Sequence, residues 1–565
     1  MVNEISSIGP KDVVAKHRLF GAAVVAVVFA LGLILLALRA EPASAAPKPN
    51  VVVIQTDDQP VEQFHRRWRD YLDRKRQIMP NTMRLLRDQG VEFSRYITPY
   101  PICAPSRASL LSGNYAHNHR VLRVGGETGG WTAFRNNAIL RENLPVWLQR
   151  AGYRTLHFGK FMNFYGGLDE PAEAEVPPGW DRWVSDATDN STRQFYGYTQ
   201  NIDGKVTGPL GSLLYTPWDE KDPVGCPWFG FSECDYHSDA MSLKAARSIR
   251  NSGGRPFYLQ IDYHTPHGDK TQPIGPEPAV RHYRSALRTA TPKPAGFNET
   301  DVSDKPAVIS EIPPMDQREI RRIKNEHQRS IEALRSVDDG VKWIYEALEA
   351  TGKLDNTYII FTSDNGFFLG QHRVSRGKLL PYEPALRVPM VVRGPGIEPG
   401  SQSGELVANQ DVAPTILKLA RARAARRVDG RSMVRFWNRP DRISRRPVLI
   451  SSYSSSVPLA ESDYPGEPLT VTGGGAEGSG AGVSGLVTSA DYVGIRLGPY
   501  KYVELESGER ELYVLTRDPA ELENRYSDPR YRRIVGFLEK ELDRLRGCRA
   551  ADCRTPTSKW PKPPD

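Results

Sequence analysis

Residues 51–58 read VVVIQTDD, an apolar run that ends in the carboxylates of Asp57 and Asp58. Apolar runs without alternating polar residues are typical of strands that are buried on both faces of a parallel sheet. Helical patterns also occur, including one with apolar residues at spacings of three and four over residues 331–348. The chain therefore predicts an α/β fold with a mostly parallel sheet. Further runs of the same kind lie at residues 153–158, 257–263 and 358–362.

Polar residues follow each of these four predicted strands. Ligands of open parallel sheets bind beyond the carboxyl ends of the strands, which is where such residues would meet. Unrelated loops would not be expected to carry polar residues so consistently, so we expect one site at this edge. The residues are Asp57 and Asp58 after the first strand, Lys160 after the second, the His264–His267 segment after the third, and Asp364 and Asn365 after the fourth.

Two of these groups offer hard oxygen ligands, namely the pair Asp57 and Asp58 and the pair Asp364 and Asn365. Carboxylate and amide oxygens suit Ca²⁺ or Mg²⁺ rather than zinc, which prefers His and Cys. A lone Asp-Asp pair is more often a turn or a helix cap. Two pairs, each directly after an apolar strand, favour a metal site.

Residues 103–113 read CAPSRASLLSG, in which Arg107 follows Cys103 by about one helical turn. A single cysteine at a helix start is often a small buried hydrophobe. This stretch, however, resembles the signature of the sulfatase family, a Cys-x-Pro-x-Arg core followed by a short helix and a glycine. The resemblance implies that the protein is an enzyme, a sulfuric ester hydrolase. It also implies that a maturation enzyme oxidises Cys103 to formylglycine.

The resemblance extends from about residue 49 to about residue 440. It implies an alkaline-phosphatase-like fold, with a large mixed, mostly parallel sheet sandwiched by helices and a small C-terminal α+β subdomain of antiparallel sheet plus helix. The predicted domains are a signal peptide or signal-anchor at residues 1–45, a catalytic domain at 49–430, and a C-terminal subdomain at 431–565 with a flexible Gly/Ser-rich loop at 473–485.

The resemblance also implies roles for the site residues. Formylglycine at position 103 would attack the ester sulfur as a hydrated aldehyde and would be a further ligand of the metal, Ca²⁺ or else Mg²⁺. Arg107 would hold the hydrated aldehyde, and Lys160 would contact the sulfate. Either His267 or Lys378 would give the leaving alcohol its proton. The predicted catalytic residues are thus Cys103, Arg107, Lys160, His267 and Lys378.

The segment after the second strand indicates the class of substrate. Gly159 to Gly166 resembles the N-acetylglucosamine-6-sulfatase and extracellular glucosamine-sulfatase branch, although many family members carry Trp-His where Phe161, Met162 and Asn163 follow Lys160 here. The expected substrate is a sulfated carbohydrate, of the N-acetylglucosamine-6-sulfate or glycosaminoglycan type, with an aryl sulfate as a simpler alternative.

Two other functions remain open from the sequence. A phosphonate monoester or phosphodiester hydrolase of the same superfamily could use the same nucleophile, and matched sulfate and phosphate esters would distinguish it. A non-catalytic secreted protein that binds sulfated polysaccharide would carry an unmodified Cys103. The net charge of +8 suits an anionic ligand but is modest. No nucleic-acid motif is present, so no nucleic-acid partner is expected.

The N-terminus predicts export from the cytoplasm. Basic residues precede an uncharged apolar run at residues 19–38, and Ala43-Ser44-Ala45 is typical of a cleavage site. The run is nearly long enough to span a bilayer, so it is either a cleaved signal peptide or an uncleaved signal-anchor. We expect a secreted or extracytoplasmic protein that contacts a membrane only through an uncleaved N-terminal segment.

The cysteine content agrees with an oxidising compartment. Of five cysteines, Cys226 and Cys234 lie close in sequence, as do Cys548 and Cys553, and each pair could form a short-loop disulfide. Cys103 is then left over, and an unpaired cysteine in a secreted protein requires an explanation. Conversion to formylglycine supplies one, whereas five reduced thiols would indicate a cytosolic protein.

Overall fold

Strand β1, from Asn50 to Thr56, lies near the middle of a ten-stranded sheet. The structure is a computed structural model of the chain. It describes residues 47–69, 72, 74–167, 174–187, 194–210, 236–269, 274–453 and 491–564.

The described residues form sixteen strands and thirteen α-helices, together with a π-helical turn at Met83–Arg87. The other strands are β2 (Arg67–Arg69), β3 (Lys75–Gln77), β4 (Val91–Ile97), β5 (Arg154–Gly159), β6 (Arg182–Asp186), β7 (Tyr198–Ile202), β8 (Lys205–Leu210), β9 (Phe257–Asp262), β10 (Thr357–Ser363), β11 (Met390–Arg393), β12 (Ser401–Ala408), β13 (Val448–Ser452), β14 (Tyr492–Leu497), β15 (Tyr500–Leu505) and β16 (Arg510–Val514). The helices are α1 (Val61–His65), α2 (Pro80–Thr82), α3 (Cys103–Ser112), α4 (Ala116–His119), α5 (Gly130–Arg135), α6 (Leu144–Arg150), α7 (His237–Arg250), α8 (Ala307–Ser310), α9 (Gln317–Ala350), α10 (Glu383–Leu386), α11 (Val412–Leu419), α12 (Val434–Trp437) and α13 (Arg532–Arg546).

The large sheet has the strand order β12-β4-β11-β10-β1-β9-β5-β6-β7-β8. Its central strands β10, β1, β9, β5 and β6 are parallel neighbours, whereas β11, β7 and β8 run antiparallel to their neighbours. The prediction of a large mixed, mostly parallel sheet is confirmed. All four predicted strands are present, as β1, β5, β9 and β10, and their ends differ from the predicted ends by at most one residue.

Helices cover both faces of this sheet. Val51 and Val53 of β1 pack in a hydrophobic core with α3, α6 and α11, and Val52 and Ile54 pack in a second core with α7 and α9. Successive side chains of a strand point to opposite faces. Because both faces of β1 are buried, the strand is apolar at every one of these positions, as its sequence pattern predicts.

Helix α9 carries the apolar stripe that the sequence predicts. It begins after Asp316, whose side chain accepts hydrogen bonds from the backbone N–H groups of Arg318 and Glu319 at 2.7 and 2.8 Å. The Glu319 side chain in turn accepts a hydrogen bond from the backbone N–H of Asp316. This capping box satisfies N–H groups that have no partner within the helix. The stripe is buried at Ile331, Leu334, Val337, Val341, Ile344 and Leu348.

A smaller antiparallel sheet lies toward the C-terminus, with the strand order β13-β14-β15-β16. Helix α13 packs on it through Ile534, Leu538 and Leu542, which share a core with Leu449 and Ile495. This confirms the predicted antiparallel sheet with a packed helix. The described residues from Pro49 onward form one compact unit, and the predicted division between residues 430 and 431 stays a prediction.

Several predictions from the sequence concern segments outside the described residues. These are the leader at residues 1–45, the Gly/Ser-rich loop at 473–485, and the pair Cys226 and Cys234. Cys548 and Cys553 form a disulfide, and Cys103 is the free cysteine of the described part of the chain. No helix within the described ranges is long and apolar enough to cross a membrane.

Candidate active site

The carboxyl ends of β1, β5, β9 and β10 meet at one edge of the large sheet, because these strands are parallel and lie within four neighbouring positions. Thr56 lies opposite Ser363 in the register of β1 and β10. The backbone N–H of Asp57 donates to the carbonyl of Thr265 at 3.1 Å, which joins the ends of β1 and β9. The polar residues that follow these strands are therefore brought together, as expected.

Three carboxylates form a buried acidic cluster at this edge. Asp57, Asp58 and Asp364 each offer an oxygen, and these oxygens lie within 4.8 Å of one another. Their side chains are almost inaccessible to solvent. Like charges this close are unfavourable in a low-dielectric interior unless a cation lies among them. The cluster therefore has the charge and the ligand type that a hard divalent cation requires.

Asn365 supplies a second sign that a cation fits here. Its Nδ2 donates to Asp58 Oδ1 at 2.6 Å, whereas its Oδ1 is buried and has no hydrogen-bond partner among the described residues. A buried amide oxygen without a partner is costly unless a ligand occupies that direction. Asp58 has a φ of 65°, in the left-handed region, and such strain is often retained where a side chain must be aimed at a functional site.

The carboxylates of Asp57 and Asp364 differ in their protonation behaviour. Burial and the neighbouring charge of Asp57 raise the pKa of Asp364 to about 7. Burial also disfavours the ionised form of Asp57, but the positive charges of Lys160, His267 and Arg107 outweigh it and hold the pKa of Asp57 well below its usual value. A divalent cation would favour the ionised form of both groups.

Cys103 begins helix α3 and is fully buried. Its thiol donates to Asp57 Oδ1 at 3.5 Å and accepts a hydrogen bond from Lys378 Nζ at 2.9 Å. Burial and the nearby Asp57 raise the pKa of this thiol well above its usual value. The Sγ atom stands in for the aldehyde oxygen of the modified residue in the sulfatase interpretation, so its neighbours indicate what that oxygen would meet.

Arg107 follows on the next turn of α3 and contacts the acidic cluster. Its Nε donates to Asp364 Oδ2 at 2.9 Å, its Nη2 to Asp57 Oδ2 at 3.2 Å, and its Nη1 to the Lys160 carbonyl at 3.0 Å. Burial would lower its pKa, but the two carboxylates outweigh this effect and raise it. Arg107 therefore stays charged and fixes two of the predicted metal ligands, a role that its sequence position alone does not indicate.

The other predicted cationic residues surround the same cluster. Lys160 Nζ donates to Asp57 Oδ2 at 2.5 Å, and Lys378 Nζ donates to Asp58 Oδ1 at 2.6 Å. His267 Nε2 lies 3.8 Å from Asp58 Oδ2. All five predicted catalytic residues and all four predicted metal ligands at strand ends thus lie in one buried group. Three cationic side chains balance three carboxylates there, so a bound divalent cation would leave net positive charge next to Cys103.

The sequence analysis did not identify two residues that contact the site residues. Asp262 lies 3.6 Å from Arg107 Nη1 and accepts a hydrogen bond from Gln260 Nε2 at 2.8 Å. It is the last residue of β9, so the rule about strand ends could have identified it. Ser106 donates to the backbone carbonyl of Asp364 and accepts from Asn409 Nδ2 at 2.8 Å, and no sequence signal indicated that contact.

Comparison with known proteins agrees with this geometry. A model of the sulfatase family matches residues 49–422, well over half of the chain, and the chain therefore belongs to the sulfatase family. It is 30% identical over 536 residues to the N-acetylglucosamine-6-sulfatase of Homo sapiens, covering 91% of this chain and 87% of that protein. It is also 30% identical over 546 residues to an arylsulfatase of Volvox carteri, covering 91% and 77%.

Some relatives are much longer than the matched region. An extracellular sulfatase Sulf-1 homolog of Caenorhabditis elegans is 32% identical over 392 residues, which cover 68% of this chain and 48% of that protein. The corresponding homolog of Drosophila melanogaster is 32% identical over 394 residues, covering 68% and 31%. The chain thus spans about half or less of the length of these two relatives.

Solved structures share the fold. A protein in complex with its substrate D-glucosamine-2-N,6-O-disulfate superposes with a TM-score of 0.64 at 20% identity, covering 88% of this chain and 97% of that one. The phosphonate monoester hydrolase of Agrobacterium radiobacter superposes with a TM-score of 0.59 at 20% identity, covering 88% and 95%. At these identities the likeness concerns the fold alone.

Proposed function

We propose that the protein hydrolyses sulfate esters of sugars, with Cys103 carried as formylglycine. The observation that carries the proposal is the position of Cys103 in a sulfatase-family chain. It starts helix α3 inside the buried group and contacts both Asp57 and Lys378. Helix N-termini favour anions, and the adjacent lysines add positive charge.

Two groups that are not part of the unmodified chain would complete the site. A divalent cation, which we propose is Ca²⁺ with Mg²⁺ as the alternative, would be held by Asp57, Asp58, Asp364 and Asn365 and would polarise a sulfate oxygen. Formylglycine would supply a hydroxyl nucleophile at position 103 and allow the enzyme to release sulfate. The maturation enzyme that forms it is a necessary partner of this function.

The side chains of the chain itself have distinct roles in this proposal. Lys160 and Lys378 neutralise charge that develops on the sulfuryl oxygens. Arg107 orients Asp57 and Asp364 through the hydrogen bonds described above. His267 Nδ1 lies 3.0 Å from the Gly268 carbonyl, which can only accept, so the proton is on Nδ1. Nε2 faces Asp58, and in the positively charged imidazole it carries a second proton that it can give to the leaving alcohol.

We propose a sugar sulfate, of the N-acetylglucosamine-6-sulfate type, as the substrate. Support comes from the relatives that carry that name and match along nine tenths of this chain. A sugar alcohol is a poor leaving group, so a proton donor at the site is required. His267 and Lys378 are the described residues that can serve, and an extracytoplasmic location would give the enzyme access to such glycans.

The first experiment is mass spectrometry of the tryptic peptide from Tyr96 to Arg107, with protein purified from its native host. We expect a mass that corresponds to replacement of the Cys103 thiol by an aldehyde. An unmodified thiol in active, mature protein would overturn the proposed nucleophile. An unmodified thiol in inactive protein that still binds sulfated polysaccharide would instead support a non-catalytic binding protein.

The second experiment measures sulfate release from N-acetylglucosamine-6-sulfate. We expect multiple turnover by the mature enzyme, loss of activity after chelation, and recovery with Ca²⁺. Cys103→Ala should be inactive, and Cys103→Ser should turn over very slowly, because a plain hydroxyl cannot release sulfate by return of an aldehyde. Faster hydrolysis of a matched phosphonate monoester or phosphodiester than of the sulfate ester would instead identify a phosphoryl hydrolase.

A further inference from the structure

A second cluster of metal-ligating side chains lies at the same edge of the sheet. Asp186 is the last residue of β6, His237 is the first residue of α7, and His264 follows β9. We refer to these three residues as the His-Asp cluster. All three are buried, and none of them belongs to the predicted catalytic or metal-binding set.

The three side chains converge closely. His237 Nε2 lies 2.7 Å from Asp186 Oδ1, and His264 Nδ1 lies 3.7 Å from Asp186 Oδ2. The centroids of the two imidazole rings are 4.1 Å apart. One ligand atom from each residue lies within 4.8 Å of the others. Bonds of about 2.0–2.2 Å in a tetrahedral site place ligand atoms about 3.3–3.6 Å apart. The 2.7 Å contact would therefore open on metal binding, and the 3.7 Å contact would close slightly.

The cluster leaves many polar atoms without hydrogen bonds. Among the residues that the structure describes, both ring nitrogens of His264, Nδ1 of His237 and Oδ2 of Asp186 are buried without a partner. Two of these atoms, His264 Nδ1 and Asp186 Oδ2, face each other at 3.7 Å. Buried polar groups are nearly always paired, so the incomplete pairing of this cluster points to a ligand. Aromatic rings exclude water from two sides, since Phe195 packs on His264 at 4.3 Å and Tyr198 on His237 at 4.8 Å between ring centroids.

We propose that Asp186, His237 and His264 bind one transition-metal cation, with Zn²⁺ as the ion to test. Two imidazoles and one carboxylate suit zinc, whereas the all-oxygen group at Asp57, Asp58 and Asp364 suits Ca²⁺ or Mg²⁺. The two sites therefore select different ions. The proposed zinc site would join β6, α7 and the turn that leads from β9 to His267. This proposal does not depend on the proposed sulfatase activity.

The test is the metal content of tag-free, full-length protein. The protein is stripped with a chelator, loaded with Zn²⁺ and Ca²⁺ together, dialysed and measured by elemental mass spectrometry. We expect one zinc per chain in the wild type and loss of that zinc in His237→Ala and in Asp186→Asn. Asp364→Asn should keep the zinc and lose calcium. His282→Ala is the matched control, since His282 is a buried histidine bonded to a single carboxylate, Asp339, at 2.8 Å.

Cobalt substitution gives a readout that needs no variant. Co²⁺ in the wild-type protein should show the intense visible absorption of a four-coordinate site with nitrogen ligands, and Zn²⁺ should displace it. The proposal is wrong if the wild type holds no zinc after dialysis, or if zinc is lost in Asp364→Asn and kept in His237→Ala. A weak cobalt spectrum of the wild type, typical of a six-coordinate site, would also overturn the proposal. If His237→Ala fails to fold, His264→Gln takes its place in the zinc measurement.

Discussion

Lys378 contacts both the predicted nucleophile and a predicted metal ligand, through hydrogen bonds of 2.9 Å to Cys103 Sγ and 2.6 Å to Asp58 Oδ1. If it protonates the leaving alcohol, its loss should matter most for substrates whose leaving group needs a proton. We expect Lys378→Met to lower kcat/KM for a sugar sulfate by about 100-fold or more. The loss should be clearly smaller for nitrophenyl sulfate, whose leaving group needs no proton.

The control for this prediction is Lys342→Met. Lys342 lies on the exposed side of α9 and pairs only loosely with Glu346, at 3.7 Å, so its replacement should change neither rate. Equal losses for the two substrates in Lys378→Met would show that the lysine acts through charge and positioning rather than by proton transfer.

His119 is a buried histidine outside the predicted catalytic set. Its Nδ1 accepts from the backbone N–H of Val121 at 3.1 Å, and its Nε2 lies 2.9 Å from Ser109 Oγ. Burial and the charges of His117 and Arg426 lower its pKa to about 3. The unfolded chain therefore binds a proton between pH of about 6.5 and about 3 that the folded protein does not bind.

The free energy of unfolding should fall with decreasing pH across this window, by about 1.4 kcal/mol per pH unit from His119 alone. We expect His119→Gln, which can keep an acceptor for Val121 and a donor for Ser109, to show a shallower decrease. Urea unfolding of both proteins at several pH values between about 7 and about 4 measures this. An unchanged slope would show that His119 does not control the acid sensitivity.

At the scale of elements, the crossing of α7 and α9 depends on a glycine. A Cβ at Gly340 would lie 2.2 Å from Ser242 Oγ and 2.6 Å from the Tyr263 hydroxyl, and these two hydroxyls are 2.7 Å apart and hydrogen-bonded. Gly340→Ala should therefore destabilise the protein by about 1–3 kcal/mol, despite the better helix propensity of alanine.

Gly536 of α13 provides the matched control, since nothing lies within 4 Å of a Cβ built there. Gly536→Ala should stabilise the protein, by up to about 1 kcal/mol. Thermal unfolding of both variants tests the pair. Stabilisation by Gly340→Ala would mean that α7 and α9 can separate without loss of packing.

At the scale of the whole molecule, the C-terminal sheet holds the segment that carries Lys378. The Tyr492 hydroxyl donates to the carbonyl of Leu379 at 3.0 Å, and Lys501 Nζ donates to the carbonyl of Pro381. Leu379 has a φ of 80°, an unfavourable conformation for a residue with a side chain. We infer that the small sheet maintains this backbone and so places Lys378.

Tyr492→Phe tests that inference, because it removes only the hydrogen bond to Leu379. We expect kcat to fall by several-fold with little change in KM, since Lys378 would be less well positioned. Tyr500→Phe is the control. The Tyr500 hydroxyl belongs to the same sheet but donates to the Pro561 carbonyl, at 2.6 Å, so its loss should leave kcat unchanged. Equal effects of the two substitutions would indicate general loosening of the sheet.

Much of this architecture could be predicted from the sequence because its signals are local. Strands β1, β9 and β10 each contain a run of three or four consecutive apolar residues, and burial on both faces of a parallel sheet produces that pattern. Because ligands of parallel sheets bind beyond the carboxyl ends of the strands, the sequence also identified Asp57 and Asp364 as neighbours. Strands β7 and β8, at one end of the sheet, were not predicted, because short antiparallel strands carry a weak pattern.

Side-chain convergence, by contrast, was decided only by the tertiary structure. The sequence by itself determined the α/β class, the position of Cys103 at a helix start, and the oxygen-bearing side chains at strand ends. It did not indicate that Arg107 binds Asp57 and Asp364, or that the His-Asp cluster forms from three separate elements. These contacts depend on the order of strands in the sheet and the crossing of helices over it. Sheet order and helix crossing are set by packing between distant segments, which no local pattern records.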